Sequence, residues 1–75
     1  MSEYNIQMTW DAEAAVWIAT SDDVPGLALE SGSFDALVER VKYAVPELME
    51  LNHRAATAYN LNFSSKRSDV VTAHG

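Results

Sequence analysis

The sequence predicts an α+β fold whose elements follow one another in the order β-β-β-α-β. Two patterns support this prediction. Apolar and polar residues alternate near both ends of the chain, and one long apolar stripe at helical spacing lies between them. The single amphipathic helix should pack on one face of a mostly antiparallel sheet and leave the other face open. Seventy-five residues allow one small domain, which we expect over residues 1–63, followed by a C-terminal tail over residues 64–75.

The first three strands are predicted to form a meander. Every second residue over 4–10 is apolar, which indicates a strand with one buried face. Residues 11–15 break this alternation and should form a hairpin loop. Residues 16–21 are apolar on both faces and suit a central strand. The turn signal Val24-Pro25-Gly26 precedes a short third strand at 27–30, because proline presets φ and glycine accepts a positive φ.

One helix is predicted to begin after Ser33, which can cap its first turn, and to end near Asn52. Its apolar residues form one stripe, namely Phe34, Leu37, Val38, Val41, Ala44, Val45, Leu48 and Leu51. Pro46 lies inside this stripe and has no backbone N–H to donate. We therefore expect a kink or a restart of the helix at that position.

The fourth strand is predicted over residues 57–63, where Tyr59, Leu61 and Phe63 share one side. The twelve residues that follow contain only one weak apolar pair. They should form a mobile tail or a segment that becomes ordered on a partner.

The sheet face without the helix should be mainly polar, and it carries Asn5, Gln7, Thr9, Asn60 and Asn62. Such a small fold leaves open edges and a limited core, so we expect a homodimer or a higher homo-oligomer. If Val16 and Ile18 face the helix, then Trp17 lies on the open face and becomes the best candidate for a partner contact.

The charge is unevenly distributed along the chain, whose net charge is −6. Residues 1–52 carry ten acidic and two basic residues, whereas residues 53–75 carry three basic residues and one acidic residue. An acidic body repels nucleic-acid phosphates and attracts basic partners, although such charge often serves only solubility. We place a candidate partner interface at Trp17, Asp22, Asp23, Glu47 and Glu50.

No catalytic or metal-binding pattern is evident. The chain has no cysteine, His53 and His74 lack metal-ligand spacing, and the serines lack a nucleophile-elbow motif. The aspartates are typical turn residues. We therefore expect neither an enzyme nor a cofactor. The sequence shows no secretory leader and no apolar stretch of about 20 residues, which predicts a cytoplasmic protein.

The ordered set of segments in the first half of the chain resembles the HicB antitoxin family. It consists of Trp10-Asp11, Val16-Trp17-Ile18-Ala19, Asp22-Asp23-Val24-Pro25-Gly26-Leu27 and Phe34-Asp35-Ala36-Leu37. The helix end Pro46-Glu47-Leu48-Met49-Glu50-Leu51-Asn52 is similar to a small single-domain bacterial branch of that group, whose function is uncharacterised. The likeness covers roughly residues 4–52.

This resemblance implies a partial RNase H-like fold and an antitoxin role. Toxins of the family are small, basic mRNA interferases with a catalytic histidine, and their antitoxins bury that histidine by direct binding. Longer relatives add a C-terminal DNA-binding domain, which needs more residues than follow Phe63, so we do not expect direct DNA binding. The alternative is an orphan or degenerate RNase H-like domain with a nucleic-acid-related activity or none, which would depend on fold analogy alone.

Overall fold

The computed structural model describes residues 3–74 and contains one four-stranded sheet with one helix on a single face. The elements are β1 (Glu3–Asp11), β2 (Val16–Thr20), β3 (Ala28–Ser31), α1 (Phe34–Leu51) and β4 (Asn60–Lys66). This order confirms the α+β fold with β-β-β-α-β connectivity. The bounds of the strands differ from the predicted ones by at most three residues.

The strands lie in the order β3-β2-β1-β4 across the sheet. Strand β2 runs antiparallel to both of its neighbours, whereas β4 runs parallel to β1. A parallel pair needs a crossover connection, and α1 provides it by carrying the chain across the sheet from β3 to β4, which then pairs with β1. The two edges of the sheet are therefore formed by β3, which has four residues, and by β4, which has seven.

Strand register decides which side chains face the helix. Met8 pairs with Ala19, and Ile6 pairs with Phe63. Side chains of directly paired residues lie on the same face of a sheet. The buried core between sheet and helix comprises Ile6, Met8, Ala19, Val24, Leu27, Leu37, Val41, Val45 and Met49. Most of these side chains follow the predicted alternating and helical spacings. The end of the predicted helix stripe is wrong, because Leu51 is 75% exposed and Met49, which the stripe did not include, is buried.

The loop between β2 and β3 contains the predicted tight turn. The Leu27 backbone N–H donates to the Val24 carbonyl over 3.2 Å, and Gly26 has a φ of +84°. Proline at the second position and a positive-φ glycine at the third are the signature of a type II turn. Ser21 ties this loop to β1, because its Oγ donates to the Asn5 carbonyl over 2.6 Å and accepts from the Val24 N–H.

Helix α1 begins at the predicted cap, where Ser33 Oγ accepts from the Ala36 N–H over 3.2 Å. It ends at Leu51 with Asn52 as the C-cap, and His53 follows with a φ of +58°, a left-handed termination. The helix continues through Pro46, so the predicted restart is wrong. Buried residues on both sides of Pro46, among them Val41 and Met49, hold the two halves of the helix against the same sheet.

Strand β4 begins three residues later than predicted and continues to Lys66. Tyr59, Leu61 and Phe63 all pack against the core, as their alternation indicated. The extension over residues 64–66 is polar and is held by its pairing with residues 7–9 of β1. Residues 67–74 have no regular secondary structure, so the segment without secondary structure begins at Arg67, not at residue 64.

Candidate protein-interaction surfaces

Trp17 lies on the helix-facing side of the sheet, so its predicted position on the open face is wrong. It pairs directly with Trp10, and the two ring centroids are 5.4 Å apart. Its ring also meets Phe34, the first residue of α1, edge-on at 5.0 Å. Both faces of β2 are apolar, so the sequence pattern of that strand could not orient it. The register with β1 assigns Trp17 to the helix side and turns Val16 and Ile18 outward.

Arg67 extends the aromatic contacts at this end of the sheet. Its guanidinium carbon lies 4.2 Å from the centroid of the Trp10 ring and 6.0 Å from that of Trp17. A cation above an aromatic ring at an exposed site contributes about 0.5–1 kcal/mol. Arg67 Nε also donates to Asp69 Oδ2 over 2.8 Å. These contacts fix where the C-terminal segment leaves the body, and no feature of the sequence had indicated them.

The open face of the sheet is mainly polar. Val16 and Ile18 of β2 are half-buried on this face, and the polar residues predicted for it do lie there on β1 and β4, namely Asn5, Gln7, Thr9, Asn60 and Asn62. This face presents no large exposed aromatic side chain in the described residues. It is therefore a weaker anchor for a partner than the sequence suggested.

The two aspartates of the predicted interface have different environments. Asp23 is half-buried, and its Oδ2 accepts from the Asn5 backbone N–H over 2.8 Å and from Asn5 Nδ2 over 3.3 Å. These bonds fasten the turn to β1. Asp22 is exposed to solvent, with a side chain that makes no hydrogen bond or ion pair among the contacts of residues 3–74. Asp22 is consequently the more accessible of the two for a partner.

Glu47 and Glu50 lie exposed near the C-terminal end of α1, where they flank a shallow depression of about 340 Å³ with Leu51. The turn that carries the aspartates packs against the same end of the helix. A methyl group added to Gly26 would lie only 3.4 Å from Leu48 Cδ2. The structure thus brings the segments of all four predicted acids to one end of the molecule.

Trp17 is separated from this acidic end. It packs on Phe34 at the N-terminal end of α1, whereas the acidic segments meet at the C-terminal end of the helix. The five predicted interface residues therefore do not form one patch.

A groove between α1 and β4 was not predicted. Its volume is about 350 Å³, and its walls are Lys42, Val45, Pro46, Tyr59, Leu61 and Phe63. It exists because the helix backbone lies over β2 and β3 and leaves the inner side of β4 partly uncovered. At its β4 side Tyr59 packs edge-on against Tyr4 with ring centroids 5.6 Å apart, and its Oη accepts from the Ala56 N–H over 2.8 Å. Sequence periodicity cannot reveal such a groove, since it depends on the lateral position of the helix.

Residues 3–74 contain no group of three or more histidine, aspartate or glutamate side chains that could hold a metal ion. Over the same range, no helix has both the length and the apolar content that are needed to cross a membrane.

The architecture defines a small two-layer α+β domain whose accessible features are surfaces and shallow grooves. Residues 3–72 match the model of a family described as a domain of unknown function, DUF1902, and the chain belongs to that family. The fold is similar to the crystal structure of the hypothetical protein TTHA1013 from the extremely thermophilic bacterium Thermus thermophilus. The two share 39% sequence identity and a TM-score of 0.80 over 93% of this chain and 100% of that chain. No curated protein matches the chain.

Proposed function

We propose that this chain is a non-catalytic interaction protein of the HicB antitoxin type, which neutralises a small basic mRNA-interferase toxin by direct binding. The observation that supports this proposal most directly is the acidic end of the molecule. Asp22, Glu47 and Glu50 are exposed there, and none of them forms an ion pair within residues 3–74. Uncompensated acids on adjoining segments create a local negative potential.

The acidic helix surface also offers apolar contacts. Tyr43 and Leu51 are 79% and 75% exposed, respectively. They are separated by eight residues, with Glu47 midway, so all three lie on one face of α1. Protein interfaces commonly combine an apolar centre with a polar rim. In this proposal Leu51 and Tyr43 are the apolar residues that contact the partner, a role that the sequence predicted for Trp17.

The sign of the charge favours a basic protein over a nucleic acid. Nucleic-acid binding needs cations that neutralise phosphates, whereas the exposed acids of this end would repel them. The same acids would accelerate encounter with a basic protein and suppress association with acidic ones. The alternative, an orphan or degenerate RNase H-like domain, has no support among the described residues beyond its topology.

The proposal predicts that a small basic protein is encoded beside this chain, and co-expression of the two proteins tests it. We expect the two proteins to co-purify, and we expect this chain to relieve the growth arrest that the basic protein causes. The double variant Glu47→Lys/Glu50→Lys should weaken binding about tenfold or more, because charge reversal converts attraction into repulsion.

A variant with the same charge change elsewhere provides the control. Glu13 and Glu30 are also exposed, but they lie in the β1–β2 loop and on β3. Glu13→Lys/Glu30→Lys should leave co-purification and growth rescue nearly intact. If the wild-type chain neither co-purifies with the basic neighbour nor relieves its growth arrest, the proposed function is wrong.

A further inference from the structure

The C-terminal segment 67–74 carries apolar side chains that the body of the molecule does not cover. Val70 and Val71 are 94% and 91% exposed. The radius of gyration is 14.8 Å, whereas a compact chain of this length would have a value of about 11 Å. The longest dimension is 57 Å against 22 and 18 Å for the others. The segment therefore extends away from the two-layer body.

The direction of the Arg67 side chain shows which way the following residues point. Leu61 and Phe63 face the helix side of the sheet. Arg67 lies over Trp10 on that same side, so the two-residue alternation of β4 continues to position 67. If the same alternation continues along an extended segment, Val71 lies on the helix side of the sheet and Val70 lies on the open side.

Strand β4 also has an unoccupied position beside it. It forms one edge of the sheet, and its outer side has no neighbouring strand in residues 3–74. Such an edge can pair with a further strand. The apolar groove with Leu61 and Phe63 in its wall opens beside the same strand. An added strand would therefore gain both backbone hydrogen bonds and a place for alternate apolar side chains.

Segment 67–74 can reach the groove of a second copy more directly than the groove between α1 and β4 of its own copy. The groove lies near the start of β4, about 20 Å before the point at which segment 67–74 leaves. Because segment 67–74 follows the far end of β4 and extends from the body, it leads away from this groove. Its eight residues span about 26 Å when extended, which matches the about 23 Å of the seven-residue strand β4.

We propose that two copies of this chain associate by antiparallel pairing of each 67–74 segment with the β4 strand of the other copy, with Val71 in the partner groove. Directly opposed residues of antiparallel strands share a face, so Val71 would lie beside Leu61 and Phe63 of the second copy. Each copy provides one segment and one groove, so a two-fold axis closes the assembly. This proposal does not depend on the antitoxin role, because the face of α1 that carries Tyr43, Glu47 and Leu51 is a separate surface.

The test compares Val71→Asp with Val70→Asp by sedimentation equilibrium of the full chain across micromolar concentrations. Both valines are almost fully exposed in the single copy, so neither change should alter the circular dichroism spectrum. We expect a dimer for the wild-type chain. Val71→Asp should raise its dissociation constant about tenfold or more, because a charge would enter the apolar groove. Val70→Asp should change the dissociation constant by less than about threefold, because its side chain would lie on the solvated face.

Three results would overturn the inference. The first is a wild-type chain that stays monomeric throughout the concentration range, which includes the case of a segment that folds back on its own β4. The second is a dimer whose dissociation constant is insensitive to Val71→Asp. The third is equal weakening by both variants, which would indicate a general charge effect and no alternation of faces.

Discussion

Gly26 occupies a backbone conformation that other residues adopt only at a cost. Its φ of +84° is needed for the turn whose Leu27 N–H returns to the Val24 carbonyl. Both Val24 and Leu27 are buried, so this turn brings two core side chains in from a loop. The same turn packs on Leu48 and brings the aspartate-bearing loop to the end of α1. One glycine thereby affects the core and the position of the acidic end.

Replacement of this glycine should destabilise the protein. Gly26→Ala adds a methyl group that meets Leu48 Cδ2 at an ordinary 3.4 Å, so the cost comes mainly from the positive φ. We expect the free energy of unfolding to fall by about 1–2 kcal/mol. In a domain of this size that corresponds to a lower melting temperature by roughly 4–8 °C per kcal/mol.

Gly32→Ala is the matched control for Gly26→Ala. Gly32 has no positive φ, and a methyl group there would lie 3.7 Å from the Ala15 carbonyl oxygen. This change should leave the melting temperature unaltered or raise it slightly, because alanine restricts the unfolded chain. If the melting temperature falls equally in the two variants, the destabilisation comes from the added methyl group and not from the backbone conformation.

Helix α1 is the element that determines most of the surface. Its buried stripe of Leu37, Val41, Val45 and Met49 meets the sheet, while its outer face carries Tyr43 and the exposed acids. Local signals set its two ends, because a serine caps its start and a left-handed residue follows its end. Pro46 does not end the helix, because core contacts on both sides of it outweigh the lost hydrogen bond.

The N-terminal cap of α1 can be tested with a change that keeps the helix sequence intact. Ser33→Ala removes the acceptor for the Ala36 N–H, and we expect the free energy of unfolding in urea to fall by about 1 kcal/mol. Ser33→Asp retains an acceptor at the same place and should recover most of that loss. If Ser33→Asp is as unstable as Ser33→Ala, then Ser33 stabilises the protein by some other contact.

On the scale of the whole molecule, acidic charge exceeds basic charge by six. The ion pairs within residues 3–74 join neighbours in sequence, Lys42 with Glu39 and Arg67 with Asp69, and all four side chains are substantially exposed. Exposed pairs of this kind contribute little to stability. The acids at the end of α1 have no such partners and repel one another. Dissolved salt or a bound basic partner would reduce this repulsion.

Added salt should therefore stabilise the isolated protein. Between about 0.02 and 0.5 M sodium chloride we expect thermal unfolding to report a gain of roughly 1 kcal/mol or less, because screening weakens the repulsion among exposed acids. The gain should be smaller in Glu47→Gln/Glu50→Gln, which removes two of these charges. A melting temperature that falls with salt would show that attractive pairs dominate.

The sequence by itself determined the elements, their order, the helix cap, the tight turn and the acidic character of the body. Each of these depends on residues close together in the chain, and local patterns such as Ser33 before an apolar stripe or Pro25-Gly26 between strands report them directly. The fold class followed because one amphipathic helix and four short strands leave few ways to bury a single core.

Only the tertiary structure decided the orientation of β2, the length of β4 and the groove beside α1. Trp17 and Ile18 are both apolar, so the choice between them depended on the backbone hydrogen bonds that pair β2 with β1. Residues 64–66 join the sheet through the same kind of pairing despite their polarity. Contacts between elements determine which side chains stay accessible, and local periodicity carries no information about those contacts.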